Sequence, residues 1–189
     1  MEKYKRTTPL YSLCGLNCGM CPRYQTQGES RCPGCGGMDF RLKHPACAVI
    51  TCSKKHGGVE YCFECSSYPC ERYSGISDAD SFISYSNVIT DFAKAKTDGI
   101  EQYMTELHEK IAILEFLLSA HNDGRRKAFY CNAVNLLPLP DLREIMLEIE
   151  AKISPRDIPP KEQIEEIVRL IEARAASRGI SLKLRKQQN

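Results

Sequence analysis

Ten of the eleven cysteines of this chain lie between Cys14 and Cys70, and this density constrains the fold more than any other feature. They fall into four groups with the spacings Cys14-x3-Cys18-x2-Cys21, Cys32-x2-Cys35, Cys47-x4-Cys52 and Cys62-x2-Cys65-x4-Cys70. The same stretch is rich in glycine and proline and has few apolar residues from which to build a core of its own. Such a segment needs cross-links, which are either disulfides or bound metal ions.

The start of the chain bears on the choice between disulfides and metal. The first nine residues contain no apolar stretch of the kind that secretory signals carry. No apolar run reaches the ~20 residues that span a bilayer, since the run from Ile111 to Ala120 is short and contains Glu115. We therefore expect a cytoplasmic protein with no membrane contact, in which thiols stay reduced and metal ligation is favoured over disulfides.

Three of the four groups contain two cysteines separated by two residues. Thiolates at this spacing close a tight loop around one ion, and the amides of that loop can hydrogen-bond the sulfurs. In Cys32-Pro33-Gly34-Cys35, proline sets φ before the turn and glycine allows positive φ within it. This pattern predicts two or more zinc ions and ten thiolate ligands: Cys14, Cys18, Cys21, Cys32, Cys35, Cys47, Cys52, Cys62, Cys65 and Cys70.

The division of these ligands among sites stays open. Pairing consecutive groups gives two tetrahedral sites: Cys18 and Cys21 with Cys32 and Cys35, and Cys47 and Cys52 with Cys62 and Cys65. Cys14 and Cys70 remain; they either form a further site with His44 and His56 or replace ligands in the other two. A cross-braced pairing is equally compatible with the spacings, and so is a structure in which neither histidine is a ligand.

Iron is the alternative to zinc. The first group has the spacing that radical S-adenosylmethionine enzymes use for a [4Fe–4S] cluster, but this chain is too short for their barrel and has too few strand signals. A simple Fe–S cluster or a mononuclear iron in a four-thiolate site remains as the second hypothesis. Zinc is favoured because the residues around the thiolates do not form a ferredoxin-type run.

From Ser77 onward the pattern changes to helix. Apolar residues at three- and four-residue steps predict a first helix carrying Phe82, Tyr85, Ile89, Phe92 and Ala93 and ending at Gly99. A long helix opens at Ile100 and ends near His121–Gly124. Three more helices follow, separated by Pro138 and Pro140 and by a loop at Pro155, Pro159 and Pro160; Gly179 ends the last one.

These patterns predict an α-rich protein in two parts. Residues 1–75 form an irregular Cys-rich metal-binding module, and residues 76–189 form a small helical bundle with a basic C-terminal tail. We expect the tail to be solvated. We also expect the module to depend on its metal and the helices to keep much of their structure without it.

Charge gives little guidance toward a partner. The net charge of +2 produces no general attraction to nucleic acid or membrane. Up to Gly75, ten Lys and Arg face six Asp and Glu, but two zinc centres with four thiolates each would cancel this excess. Nucleic-acid binding is therefore only weakly supported, and we expect a macromolecular partner of unknown identity.

The strings around the cysteines resemble a known family. They are Leu13-Cys14-Gly15-Leu16-Asn17-Cys18-Gly19-Met20-Cys21-Pro22-Arg23-Tyr24, Cys32-Pro33-Gly34-Cys35 and Cys62-Phe63-Glu64-Cys65-Ser66-Ser67-Tyr68-Pro69-Cys70-Glu71. Together they resemble a Cys-rich prokaryotic family of domains of unknown function, thought to bind zinc, from about Leu10 to Tyr103. The resemblance implies metal binding and a prokaryotic origin, and it implies no reaction.

No catalytic or organic-cofactor motif stands elsewhere in the sequence, which lacks GxSxG, P-loop, GxGxxG and HExxH patterns. Cys131 stands alone in a helical pattern and is interpreted as a small buried hydrophobe. The sequence thus predicts a zinc-stabilised binding or regulatory protein with structural metal sites. The alternative is an iron or Fe–S redox protein that serves a partner enzyme.

Overall fold

The computed structural model describes residues 4–44, 46–76, 78–153 and 159–186. Throughout these ranges the regular structure is helical and no strand is present, which confirms the predicted α-rich class. Two residues named from the sequence, Ser77 at the proposed boundary and Pro155 in the proline loop, lie outside the described residues. None of the described helices is long and apolar enough to cross a membrane.

The cysteine-rich part is irregular, as predicted. It contains two short helices, α1 (Phe40–Lys43) and α2 (Ala48–Lys55), and 3-10 turns at Cys18–Met20, Cys62–Glu64 and Glu71–Tyr73. Backbone hydrogen bonds between distant loops join these pieces. The amide of Cys62 donates to the carbonyl of Leu13 at 2.9 Å, and that of Cys32 donates to Arg23 at 3.0 Å.

The second part contains five helices: α3 (Val88–Asp98), α4 (Ile100–Ala120), α5 (Lys127–Leu136), α6 (Leu139–Lys152) and α7 (Pro160–Ser177). Gly99 separates α3 from α4 with a φ of 89°, and Gly179 follows α7 with a φ of 66°. Both predicted glycine helix ends are confirmed. Glycine adopts positive φ at little conformational cost, so helices commonly end there.

The first of these helices begins later than the apolar pattern predicts. Phe82 lies ahead of α3 and is 56% exposed. The carboxylate of Asp80 explains the delay, since it accepts hydrogen bonds from the Tyr85 amide at 2.8 Å and the Ser84 hydroxyl at 3.1 Å. A side chain that holds backbone amides in a turn competes with helix formation.

The long helix α4 lies at the centre of the fold, where it contacts α3, α5, α6 and the turn at Cys18–Met20. The main apolar core crosses from one part of the chain to the other, because Tyr11, Met20 and Tyr73 are buried in the same cluster as the helix residues. Phe92 of α3 contacts the cysteine-rich part within this core. Its ring centroid lies 5.1–5.9 Å from those of four aromatic residues of the cysteine-rich part: Tyr11, Phe63, Tyr68 and Tyr73.

This shared core bears on the expectation that the helices keep much of their structure when the metal is removed. A smaller cluster of Leu13, Cys35, Phe40 and Ile50 belongs to the cysteine-rich part itself. The larger cluster, however, contains residues from both sides of the proposed boundary. The boundary near residue 76 stays a prediction, and the packing indicates that the two parts stabilise one another.

The basic C-terminal end is solvated at Arg178, Lys183 and Lys186, as expected from the sequence, whereas Arg174 and Arg185 are partly buried. Arg174 of α7 and Arg178, just after that helix, both bind the carboxylate of Asp141, whose side chain is buried. Arg185 binds Asp80, whose side chain is likewise inaccessible to solvent. These arginines thus neutralise two carboxylates that would otherwise be buried without a counter-charge.

Candidate metal centre

Six of the ten predicted ligands line a single cavity of about 1180 Å³: Cys14, Cys18, Cys21, Cys32, Cys35 and Cys47. These residues come from three of the four cysteine groups. The far wall is formed by the loop that precedes α3, including Ile76, Phe82 and Ile83. None of the eleven cysteines, all of which lie in the described ranges, is in a disulfide bond, and the fold brings six of them from distant segments to one cavity.

Five thiols interact electrostatically within this cavity: Cys14, Cys18, Cys21, Cys35 and Cys47. Burial raises the pKa of the Cys18 thiol, and the nearby thiols of Cys35 and Cys14 raise it further. Burial likewise raises the pKa of Cys14, whose cysteine neighbours are Cys35 and Cys47. Thiols that are buried beside one another resist ionisation unless a cation joins them, and this is the condition that a metal ion satisfies.

Cys21 and Cys32 line the same cavity and interact electrostatically. Burial raises the pKa of Cys21, while hydrogen bonds from the amides of Arg23 and Tyr24 to its sulfur work in the opposite direction. The amide of Cys32 binds the carbonyl of Arg23 at 3.0 Å, which holds the two cysteines together. Amides aimed at a cysteine sulfur across a tight loop are the arrangement that delocalises thiolate charge in metal knuckles.

A second neighbourhood surrounds Cys62. Burial raises the pKa of Cys62 to about 11, with further contributions from Cys14, Cys52 and Cys70. The Cys65 amide donates to the Cys62 carbonyl at 3.1 Å across the 3-10 turn. Cys62 therefore interacts electrostatically with Cys52 of α2 and with Cys14 of the first group.

The two neighbourhoods share Cys14. Cys47 contributes to the pKa of Cys14, and both Cys14 and Cys52 contribute to that of Cys62. Cys47 precedes the first residue of helix α2, and Cys52 lies within that helix. The division of the ligands among sites therefore stays open, with the consecutive pairing as one of several partitions.

The six cysteines of the cavity are chemically suited to bind a metal ion as thiolates. Across the described ranges, no three Cys, His, Asp or Glu side chains are arranged to hold an ion as they stand. The thiols instead contact nearby hydroxyls, such as that of Ser12, which lies 3.2 Å from the Cys14 sulfur. The segment before the first cysteine group also contacts this region, since the Arg6 amide donates to the Gly36 carbonyl at 3.2 Å.

Asn17 was missed by the sequence analysis, although it lies between two predicted ligands. It is buried, and its amide donates to Asp91 at 2.9 Å and to the side chain of Asn135 at 3.1 Å. Its side-chain oxygen accepts from the Tyr103 hydroxyl at 2.9 Å. The first cysteine loop is thereby attached to α3, α4 and α5. A single polar residue carries no periodic signal that would have revealed this role.

The histidines and the eleventh cysteine are also placed by the structure. His44 lines the cavity and stacks on Phe40 with ring centroids 4.6 Å apart, while His56 caps the end of α2 and is exposed. Cys131 is fully buried in α5, which confirms its interpretation as a buried small residue. Burial, together with the nearby Cys21 thiol, raises its pKa to about 12.

Comparison with known proteins agrees with the resemblance over the cysteine-rich part. Residues 10–75 match the model of a family described as "Protein of unknown function (DUF3795)". The match ends before α3 and so does not reach Tyr103. No curated protein matches the chain, and no solved structure matches it.

Proposed function

We propose that this protein, whose residues 10–75 match a family without an assigned function, binds two or more zinc ions through its ten clustered cysteines and works in the cytoplasm as a binding or regulatory module. The observation that carries the proposal is the convergence of six free thiols from distant segments on one cavity. Thiolate ligands of this kind are typical of structural zinc sites.

The role proposed for the metal is structural. Zinc supplies a cross-link among loops that have few regular hydrogen bonds, and four thiolates leave the ion no open position for water. In small modules such binding contributes on the order of 10 kcal/mol of apparent free energy. The folded module then presents a surface to a macromolecular partner; nucleic acid is the less supported choice because the metal–thiolate charge offsets the basic excess.

Metal analysis combined with thiol titration tests the proposal. We expect the protein, purified without added metal, to contain at least two zinc ions per chain and to be colourless. Most of its cysteines should react with Ellman's reagent only after denaturation in the presence of chelator. Ten rapidly reactive thiols in native protein without bound metal would refute the proposal.

An iron-containing redox protein is the second candidate. One observation favours it. Six of the thiols line a shared cavity of about 1180 Å³ and are not grouped into separate compact four-ligand sites. A polynuclear Fe–S cluster needs its cysteine ligands further apart than a single ion does. A brown protein purified without oxygen, with visible absorption that bleaches on reduction by dithionite, would select this candidate over zinc.

A further inference from the structure

Asn17 stands directly before the 3-10 turn Cys18–Met20, which carries one predicted ligand and is followed by a second, Cys21. An asparagine that precedes a helical turn commonly caps it with its side chain, but Asn17 makes no such bond. Its buried amide instead donates to Asp91 of α3 at 2.9 Å and to Asn135 of α5 at 3.1 Å. The first cysteine loop is therefore held by helices that supply no predicted ligand.

Two glycines let this loop approach the helices closely. A Cβ at Gly15 would lie 2.9 Å from side-chain atoms of Phe92 and Val88 of α3. A Cβ at Gly19 would collide with Ile111 of α4. Because close-packed interiors yield little and transmit strain, a movement of this loop on metal binding is passed on to the helices.

Asn135 joins the same loop to the opposite wall of the cavity. The residue is 2% exposed. Its side-chain oxygen accepts from Asn17, and its side-chain amide donates to the Ser84 carbonyl at 3.1 Å. Ser84 lies between Ile83 and Tyr85, which both line the cavity. One buried side chain thus connects the cysteine loop with the far wall.

Asn132, one helical turn before Asn135, offers a close comparison. Its side-chain oxygen accepts from the Ser84 amide at 3.2 Å, and its side-chain amide donates to the Leu182 carbonyl at 2.6 Å. It is 3% exposed. The two asparagines therefore match in size and burial, and each bonds through both its oxygen and its amide. Asn135 reaches a cysteine loop, whereas Asn132 reaches the far wall and the C-terminal segment.

We propose that Asn135 is a positioning residue of the metal centre. It holds the loop that carries Cys18 and Cys21 against the far wall, so that metal loading and the packing of α5 depend on one another. The inference rests on the proposed zinc function. Because coupling between two sites is reciprocal, a substitution in α5, 118 positions from Asn17, weakens zinc binding, and bound zinc stabilises α5.

Zinc competition on the full chain tests this coupling, with a chromophoric chelator as the competitor. We expect Asn135→Ala to weaken zinc binding by about 10-fold, within the range of about 5- to 150-fold found for coupled sites. Asn132→Ala is the matched control, since it removes as many side-chain bonds from the same helix, and it should leave the affinity close to that of the wild type. Urea unfolding of both zinc-free variants checks that the two substitutions cost similar stability.

The cobalt-loaded protein supplies a second readout, which a loss of stability alone does not move. Its d–d absorption bands report the geometry of the metal ligands. They should shift in Asn135→Ala and keep the wild-type position in Asn132→Ala.

The inference requires both the selective loss of affinity and the band shift. Wild-type affinity or unshifted bands in Asn135→Ala, or equal weakening by Asn132→Ala, overturn it and leave the proposed function intact. A wild-type protein without zinc affinity overturns the proposed function and the inference together.

If Asn135→Ala does not fold, hydrogen exchange of the wild-type protein decides in its place. Added zinc should slow amide exchange in α5 more than in α7, which packs on α6. Equal slowing in the two helices, or none in α5, overturns the inference.

Discussion

Asp80 and Arg185, 105 positions apart in the chain, are joined by four hydrogen bonds. The guanidinium donates to both carboxylate oxygens, at 2.6 and 3.1 Å. The Arg185 amide adds a bond of 2.8 Å to the carboxylate, and the Asp80 amide returns one of 3.0 Å to the Arg185 carbonyl. The C-terminal segment is thereby held against the loop that forms the far wall of the cysteine cavity.

This pair predicts a specific pH dependence of stability. Burial alone would raise the pKa of Asp80, but hydrogen bonds from Arg185 and Tyr85 lower it from 3.8 to about 2. A depressed carboxyl pKa stabilises the folded state fully above pH 3.8 and loses this effect as the pH falls toward 2. We therefore expect Asp80→Asn to lower the free energy of unfolding by about 2 kcal/mol at pH 6, and the difference from the wild type to shrink below pH 3.8.

Urea unfolding of both proteins across this range measures the effect. Glu166→Gln serves as the control, because its ion pair with Arg169 is solvent-exposed and exposed pairs contribute about 0–1 kcal/mol. A difference between Asp80→Asn and the wild type that does not change with pH would contradict the prediction.

Phe92 is expected to stabilise both parts of the protein at once. Its side chain is 1% exposed and meets four aromatic rings of the cysteine-rich part. Phe92→Ala should cost about 3–5 kcal/mol of unfolding free energy because it leaves a cavity in the shared core. The same truncation at Leu147, which is 64% exposed, should have little effect. A loss at Phe92 as small as that at Leu147 would mean that the two parts do not share a core.

Two glycines with similar backbone angles make a matched pair for testing the Cys32–Cys35 turn. Gly34 and Gly28 have φ values of 78° and 84°, so alanine is strained at both. At Gly34 the added methyl group would also collide with the Pro9 carbonyl, whereas at Gly28 it would meet open space. We expect Gly34→Ala to lower the thermal midpoint clearly more than Gly28→Ala does. Equal midpoints would show that the N-terminal segment is not packed on this turn.

Cys131 is predicted to lie outside the ligand set. It is fully buried in the helical part, so Cys131→Ala should cost about 1 kcal/mol for the removed buried group. The amount of metal per chain should stay unchanged, whereas Cys35→Ala should reduce it. Elemental analysis of the two variants makes this comparison, and loss of metal from Cys131→Ala would add an eleventh ligand.

Most helix ends could be predicted because they depend on nearby residues. The apolar repeat of α4 and α7 and the glycines that follow α3 and α7 act within one or two turns of backbone. The start of α3 was misplaced for the opposite reason. Asp80 holds the preceding turn, and Asp80 itself is fixed by Arg185 from the far end of the chain.

The same contrast applies to the candidate site. Cysteine spacing predicts which residues supply sulfur, since a tight loop with two thiols is a local feature. No spacing pattern of this kind marks Asn17 or Arg6 in the sequence. Each is an isolated polar residue whose partners, such as Tyr103 and Glu60, lie dozens of positions away.

The sequence by itself therefore determined the helical class, most helix boundaries and the set of ten candidate thiolates, because periodicity and spacing act over a few residues. Only the tertiary structure decided that six of these cysteines, from three of the four groups, line one cavity. It also decided that the two parts share the core around Phe92. These outcomes depend on burial and on hydrogen bonds between distant segments, which no local pattern encodes.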